Sequence, residues 1–259
     1  MIVFFDIDGT LLPEGVPGIP EETMAAIHEA QARGHLCLIN TGRTMANIDA
    51  YLRKAGFDGI ISGCGSSGEF CGQPLWRWPA NPTATAQVIA NARACGIEPF
   101  YEGHHQLAYD ATLPRSDLMR RFHANVRRRG KIVRPLGETD NFPIQKFSVY
   151  TASGGEVDRF RAMTTGYVCM NLNEAWEEYA PVGVTKGTGL LRMLEFLRLP
   201  LSETIAVGDS PNDLPMLTVC PNSVAMGNGT AKNFPVSFVT LTCQDGGIPH
   251  MLRHFGLIG

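Results

Sequence analysis

No run of apolar residues in this 259-residue chain approaches the ~18–20 that a bilayer span requires. The apolar opening MIVFFDIDGTLL has no basic flank and is broken by Asp6 and Asp8, so it does not read as a signal peptide. An excess of basic charge is also lacking. The 22 Lys+Arg and 25 Asp+Glu give a formal charge of −3, which speaks against a nucleic-acid partner. The seven cysteines form an odd, scattered set without a CxxC pair. That argues against a disulfide framework or a zinc knuckle, and for reduced thiols in a cytoplasmic protein. No internal repeat is visible, so a solenoid is not expected. What is present is ordinary globular composition, 44% hydrophobic and 18% charged, in a chain long enough for one large domain or two modest ones.

Residues 2–6 are a short apolar run ended by acidic residues and glycine, the pattern of a buried strand. A helix is predicted over 20–33, opened by Pro-Glu-Glu and stopped by Gly34. A strand at 36–39, a helix at 44–54 and a strand at 59–62 continue the alternation. Parallel neighbours need long crossovers, so the expectation is an α/β fold with a Rossmann-like parallel sheet. Two prolines within 79–82 interrupt this pattern. The following segment predicts helices at 83–95, 116–128 and 156–163, and strands near 97–101, 106–109, 146–151, 167–171 and 175–179. The alternation then resumes with helix 186–197, strand 204–207, helix 211–217, strand 223–225 and helix 247–255. Residues 1–80 with 181–259 are therefore expected to form one sheet domain, with 81–180 as an inserted α+β domain. Residues 80–180 hold 12 Lys+Arg and 11 Asp+Glu, so the acidic excess lies in the sheet domain, as a carboxylate-rich cation site would need.

Asp6-Ile7-Asp8-Gly9-Thr10 directly follows the first predicted strand. Ligands of parallel α/β sheets bind beyond the carboxyl ends of strands. The two-residue period sends Asp6 and Asp8 the same way, and two close carboxylates call for a cation, Mg²⁺ by the hardness of the oxygen ligands. Asn40-Thr41-Gly42-Arg43 follows the second strand, where a threonine hydroxyl and helix-start amides make an anion site. Asp209 ends the strand at 204–207, and Asn212 and Asp213 follow on the first turn of the next helix, so the group can converge on Asp6. Lys186 opens a helix, where the dipole disfavours a cation; an acidic cluster holding a phosphoryl group would compensate it.

In this order, DIDGTLL, Thr41-Gly42-Arg43, Lys186 and GDSPND resemble the four motifs of the haloacid dehalogenase superfamily of aspartate-nucleophile phosphohydrolases. The insert between the second and third motifs resembles the type IIB cap. The tail, with VAMGN at 224–228 and QDGGI at 244–248, is similar to the Cof-like subgroup of sugar phosphatases. The resemblance implies that Asp6 is the nucleophile and a Mg²⁺ ligand. It makes Asp8 the general acid and base, with its backbone carbonyl on the metal, and Asp209 the other carboxylate ligand. Asp213 would support the metal waters or hold Lys186. Thr41, Gly42, Lys186 and Asn212 would hold the phosphoryl group. The implied activity is hydrolysis of small-molecule phosphate esters, sugar phosphates or phosphorylated sugar acids, through an aspartyl-phosphate. A phosphomutase, or a non-catalytic phosphometabolite-binding protein, is the alternative on the same scaffold. One departure stands out: Cys64 occupies the position where the subgroup shows an asparagine.

Overall fold

The computed structural model describes residues 1–113, 115–137, 142–151, 155–172 and 176–259. The chain begins with β1 (Ile2–Phe5), α1 (Glu21–Ala32), β2 (Leu36–Asn40), α2 (Ala50–Arg53) and β3 (Gly59–Ser62). A hairpin of β4 (Ser67–Phe70) and β5 (Gln73–Arg77) follows. Next come α3 (Pro82–Cys95), β6 (Pro99–Glu102), β7 (Leu107–Asp110), α4 (Asp117–Arg128), β8 (Val133–Leu136) and β9 (Lys146–Tyr150). After α5 (Val157–Met163), β10 (Tyr167–Leu172) and β11 (Trp176–Pro181), the chain returns through α6 (Lys186–Leu197) and β12 (Thr204–Gly208). It ends with α7 (Leu214–Val219), β13 (Asn222–Ala225), β14 (Phe238–Val239) and α8 (Gly247–His254).

Two units divide the chain: residues 1–42, 50–77 and 184–259 form the first, and residues 43–49 and 78–183 the second. The first holds an eight-stranded sheet in the order β14-β13-β12-β1-β2-β3-β4-β5. Its strands from β14 to β3 run parallel, and the β4–β5 hairpin is appended antiparallel. Every residue of β1 is buried, as expected of a central parallel strand covered on both faces. Phe4, Leu38 and Ala206 of adjacent strands pack with Leu190 and Met193 of α6 and Met216 of α7. Gly68 admits the Trp76 ring between the hairpin strands, since a Cβ there would lie 2.2 Å from it. The Trp76 indole N–H donates to Gly65 O at 3.1 Å, and the ring stacks on Phe196.

The second unit is a six-stranded sheet in the order β10-β11-β9-β6-β7-β8, antiparallel except for the β7–β8 pair. Asn81 caps α3 by accepting the Ala84 N–H, and Gly96 ends the helix in the left-handed region at φ 62°. Ser116 caps α4 in the same way through the Met119 N–H. The sequence pattern missed β4, β5, β8 and β14, and residue 175 of the predicted strand lies outside the described residues.

The helix predicted over 44–54 shrinks to Ala50–Arg53, and residues 43–49 join the second unit. Their polar side chains have stronger partners than a helix offers. Thr44 Oγ1 and Asn47 Nδ2 donate to the buried Glu102 carboxylate at 2.9 and 3.3 Å, and Asp49 takes Arg43, Arg129 and Lys131. Among the described residues, no helix is long and apolar enough to cross a membrane.

Candidate active site

Parallel pairing of β1 with β12, in the register Phe5↔Val207, brings the ends of the two strands out side by side. The Asp6 N–H continues the ladder to Val207 O at 3.0 Å, which fixes where its carboxylate begins. Lys186, the first residue of α6, sits behind a Thr185–Thr188 capping box, and its carbonyl accepts from the Asn40 amide at 2.9 Å. The lysine is fully buried, with Nζ 2.5 Å from Asp6 Oδ1 and 2.6 Å from Asp213 Oδ1. Those two carboxylates answer the electrostatic demand of a cation at a helix start. Burial alone would lower the lysine pKa, but Asp213 and Asp6 lift it above its ordinary value, so it is held as the ammonium.

Asp213 is fully committed. Its Oδ1 faces Lys186 while Oδ2 accepts the N–H groups of Asp209 and Ser210, both at 3.0 Å. Gly208 makes this approach possible, because a Cβ there would lie 2.4 Å from Asp213 Cγ. Asp209 differs. Its Oδ1 is buried without a hydrogen-bond partner, and one carboxylate oxygen each from Asp6, Asp209 and Asp213 lie within 4.8 Å of one another. Three acids against one ammonium leave a negative surplus. Burial, with Asp213 and Asp8 adding repulsion against the pull of Lys186, pushes Asp6 up to about 8. Burial, then Asp213, raise Asp209 to about 7. Asp8 is exposed on the turn after β1, and its charge acts on both.

The Asp8 turn is held tightly. Gly9 lies at φ 79°, and a Cβ there would fall 2.2 Å from Asp209 Oδ2. Asn228 Nδ2 donates to Gly9 O at 2.8 Å, and Asn228 Oδ1 accepts the Cys243 N–H at 2.8 Å. The Cys243 thiol donates to Thr10 O at 2.9 Å; burial, with Asp209 nearby, pushes it up to about 12, so it remains a donor. Thr41 is buried at the end of β2, with its N–H on Ile61 O and its carbonyl accepting the Cys64 N–H. Cys64 itself is buried at φ 57°, a left-handed conformation that suits asparagine or glycine better than cysteine. Gly65 brings this loop against α6, where a Cβ would meet Thr185 O at 2.4 Å.

Asp6, Lys186, Asp209 and Asp213 thus come together, Asp8 is exposed on the turn after β1, and Thr41 and Gly42 follow β2, the strand beside β1. Asn212 is turned inward to its own loop, where its Oδ1 accepts the Ser210 hydroxyl at 2.9 Å. Asn40 and Asn228 lie within the motif stretches at 40–43 and 224–228, but neither they nor Cys243 was singled out as a site residue, because their partners lie far away in sequence.

A model of the haloacid dehalogenase-like hydrolase family matches residues 3–252. The protein YkrA of Bacillus subtilis (strain 168) is 26% identical over 268 residues, covering 99% of this chain and 98% of its own. The HMP-PP phosphatase of Yersinia pseudotuberculosis serotype IB (strain PB1/+) is 25% identical over 269 residues, with 97% and 93% covered. A solved structure described as the HAD subclass IIB sugar phosphatase BT4131 superposes with a TM-score of 0.84 at 21% identity, covering 99% of both chains, a likeness of fold. Since that family's pattern runs through both units, from the first strand into α8, the chain belongs to the haloacid dehalogenase-like hydrolases.

Proposed function

We propose that this chain is a Mg²⁺-dependent phosphomonoesterase that acts through an aspartyl-phosphate on Asp6, with sugar phosphates or phosphorylated sugar acids as its substrate class. Phosphatase activity itself follows from the family and from relatives such as the HMP-PP phosphatase. The observation that carries the mechanism is the buried arrangement of Asp6, Lys186 and Asp213 beside the unpartnered Asp209 oxygen. Residues 1–80 with 181–259 serve in this reading as the phosphatase core, and 81–180 as the cap.

The donor set suits a hard divalent cation: only oxygens, closely spaced and carrying more negative charge than Lys186 balances. Asp6 and Asp209 would hold Mg²⁺, and its bound charge would stabilise charge developing on the phosphoryl oxygens. Asp213, with both oxygens engaged, sets Lys186 and the 209–210 amides instead. In the first step the Asp6 carboxylate bonds to phosphorus as the ester oxygen leaves, and Asp8 gives that oxygen its proton. In the second step Asp8 takes a proton from water, which attacks phosphorus; the Asp6 carboxylate is regenerated and inorganic phosphate departs. Lys186, the Thr41 hydroxyl and the Gly42 backbone hold phosphoryl oxygens. A loose transition state asks chiefly for such positioning.

The test is phosphate release over a panel of phosphometabolites, with and without Mg²⁺, using wild type, Asp6→Asn and Asp8→Ala. Acid quench with ³²P-labelled substrate should leave label on Asp6. Release of free phosphate from a hexose phosphate separates hydrolysis from a mutase outcome. Full Mg²⁺-dependent turnover by Asp6→Asn would overturn the mechanism.

A further inference from the structure

The turn that carries Asp8 is satisfied from within on its N–H side. Gly9 N–H donates to Leu12 O at 3.0 Å, and the N–H groups of Thr10, Leu11 and Leu12 converge on Ile7 O. Two of its carbonyls are served from elsewhere. Gly9 O receives the Asn228 amide and Thr10 O the Cys243 thiol, groups 219 and 233 residues further along the chain. Asn228 is in turn fixed by the Cys243 N–H on its Oδ1, so the two residues act as one bracket. The segment bearing Asn228 has little freedom to shift. A Cβ at Gly229 would lie 2.0 Å from Asp209 O, and that same carbonyl accepts the Ala231 N–H at 2.9 Å. Behind the turn, Gly9 is pressed against Asp209 Oδ2. Asp8 is exposed on this turn, so the path of the turn backbone governs where its carboxyl starts.

We infer that Asn228 and Cys243 are positioning residues for proton transfer: their bracket on Gly9 O and Thr10 O aims the Asp8 carboxyl at the leaving oxygen. The inference rests on the proposed role of Asp8 as proton donor. Correctly placed acid catalysis is worth about 10²–10⁴ in rate, and part of that is lost if the donor drifts. The loss has a signature that a general loosening of the site lacks. It grows as the leaving oxygen becomes more basic, because an acidic leaving group departs without help.

The experiment compares kcat/KM, which ends at departure of the leaving group and so excludes the shared hydrolysis of the aspartyl-phosphate, for p-nitrophenyl phosphate, phenyl phosphate and glycerol 2-phosphate at saturating Mg²⁺, in wild type, Asn228→Ala, Asn228→Asp and Asp8→Asn. Asn228→Asp keeps the acceptor for the Cys243 N–H while putting a carboxylate oxygen against Gly9 O, so it tests the bracket even if the alanine variant folds poorly. The expected result is a loss of about 10- to 100-fold on glycerol 2-phosphate and under about 3-fold on p-nitrophenyl phosphate, in both Asn228 variants and more steeply in Asp8→Asn. Equal losses on all three esters, or no loss, in the Asn228 variants overturn the positioning role while leaving Asp8 as donor. Equal losses in Asp8→Asn overturn the donor reading, and the inference falls with it.

Discussion

Replacing Lys186 by methionine probes the charge arrangement most directly. Methionine keeps much of the apolar stem and removes the ammonium, leaving the Asp6 and Asp213 carboxylates facing each other in a buried site. Removing one partner of a buried ion pair costs about 3–5 kcal/mol. Counting two charge-assisted hydrogen bonds at about 1.5–3 kcal/mol each gives a similar size. For a chain of this length that lowers Tm by roughly 6–20 °C. The deficit depends on pH with a definite sign. Without the ammonium, the Asp6 carboxyl has a folded pKa raised further above its unfolded value of 3.8, so the native state holds protons that the unfolded state has released. Wild type, with Asp6 at about 8, shares the loss of stability that begins near pH 4, so the variant's deficit grows only once pH passes the wild-type Asp6 value and is larger at about pH 9 than at about pH 6. Urea unfolding followed by circular dichroism, in EDTA so that no divalent cation substitutes for the ammonium, measures both points. A variant with the wild-type midpoint at the higher pH, or a deficit that does not change with pH, refutes the reasoning.

Divalent cation should stabilise the wild type by about 2.7 kcal/mol at one hundred times its Kd. Asp209→Asn should abolish that Mg²⁺-dependent rise in Tm, and chelation should abolish phosphate release; equal thermal shifts in both proteins count against Asp209 as a ligand. Gly9→Ala places a Cβ 2.2 Å from Asp209 Oδ2 at φ 79°, so kcat and Mg²⁺ affinity should both fall, measured by phosphate release across a Mg²⁺ titration. His123 is 1% exposed among Phe100, Tyr109 and Phe122, and burial, with Arg115 and Arg127 adding repulsion, lowers its pKa to about 4. The unfolded chain binds that proton near 6.5, so stability should drop by as much as about 3 kcal/mol as pH falls from 6.5 to 4, and His123→Phe should remove this dependence in urea titrations.

Much of the site was legible because its parts announce themselves locally. A buried apolar run ending in Asp-x-Asp needs no tertiary information to be read as a strand end, and Lys186 at a helix start demanded nearby acid that the structure supplies. The 44–54 helix failed for the opposite reason: Thr44, Asn47 and Asp49 are drawn away by Glu102, Arg129 and Lys131, all distant in sequence. β8 was hidden by its content, Val-Arg-Pro-Leu, which has the proline of an edge strand and no clear alternation. The Asn228 bracket was invisible because both of its ends are long-range contacts to backbone atoms, which leave no mark on side-chain spacing.

Strand β1 sits in mid-sheet between β2, which follows it soon in the chain, and β12, which is made only after the whole second unit. On the ribosome, the nascent N-terminal loop would present Asp6 and Asp8 to solvent long before the lysine and the later acids exist to organise them. Such closure between early and late segments slows folding. It also means that a chain halted within the second unit carries Asp6 but neither Lys186 nor Asp209 and Asp213, the groups that gather around it.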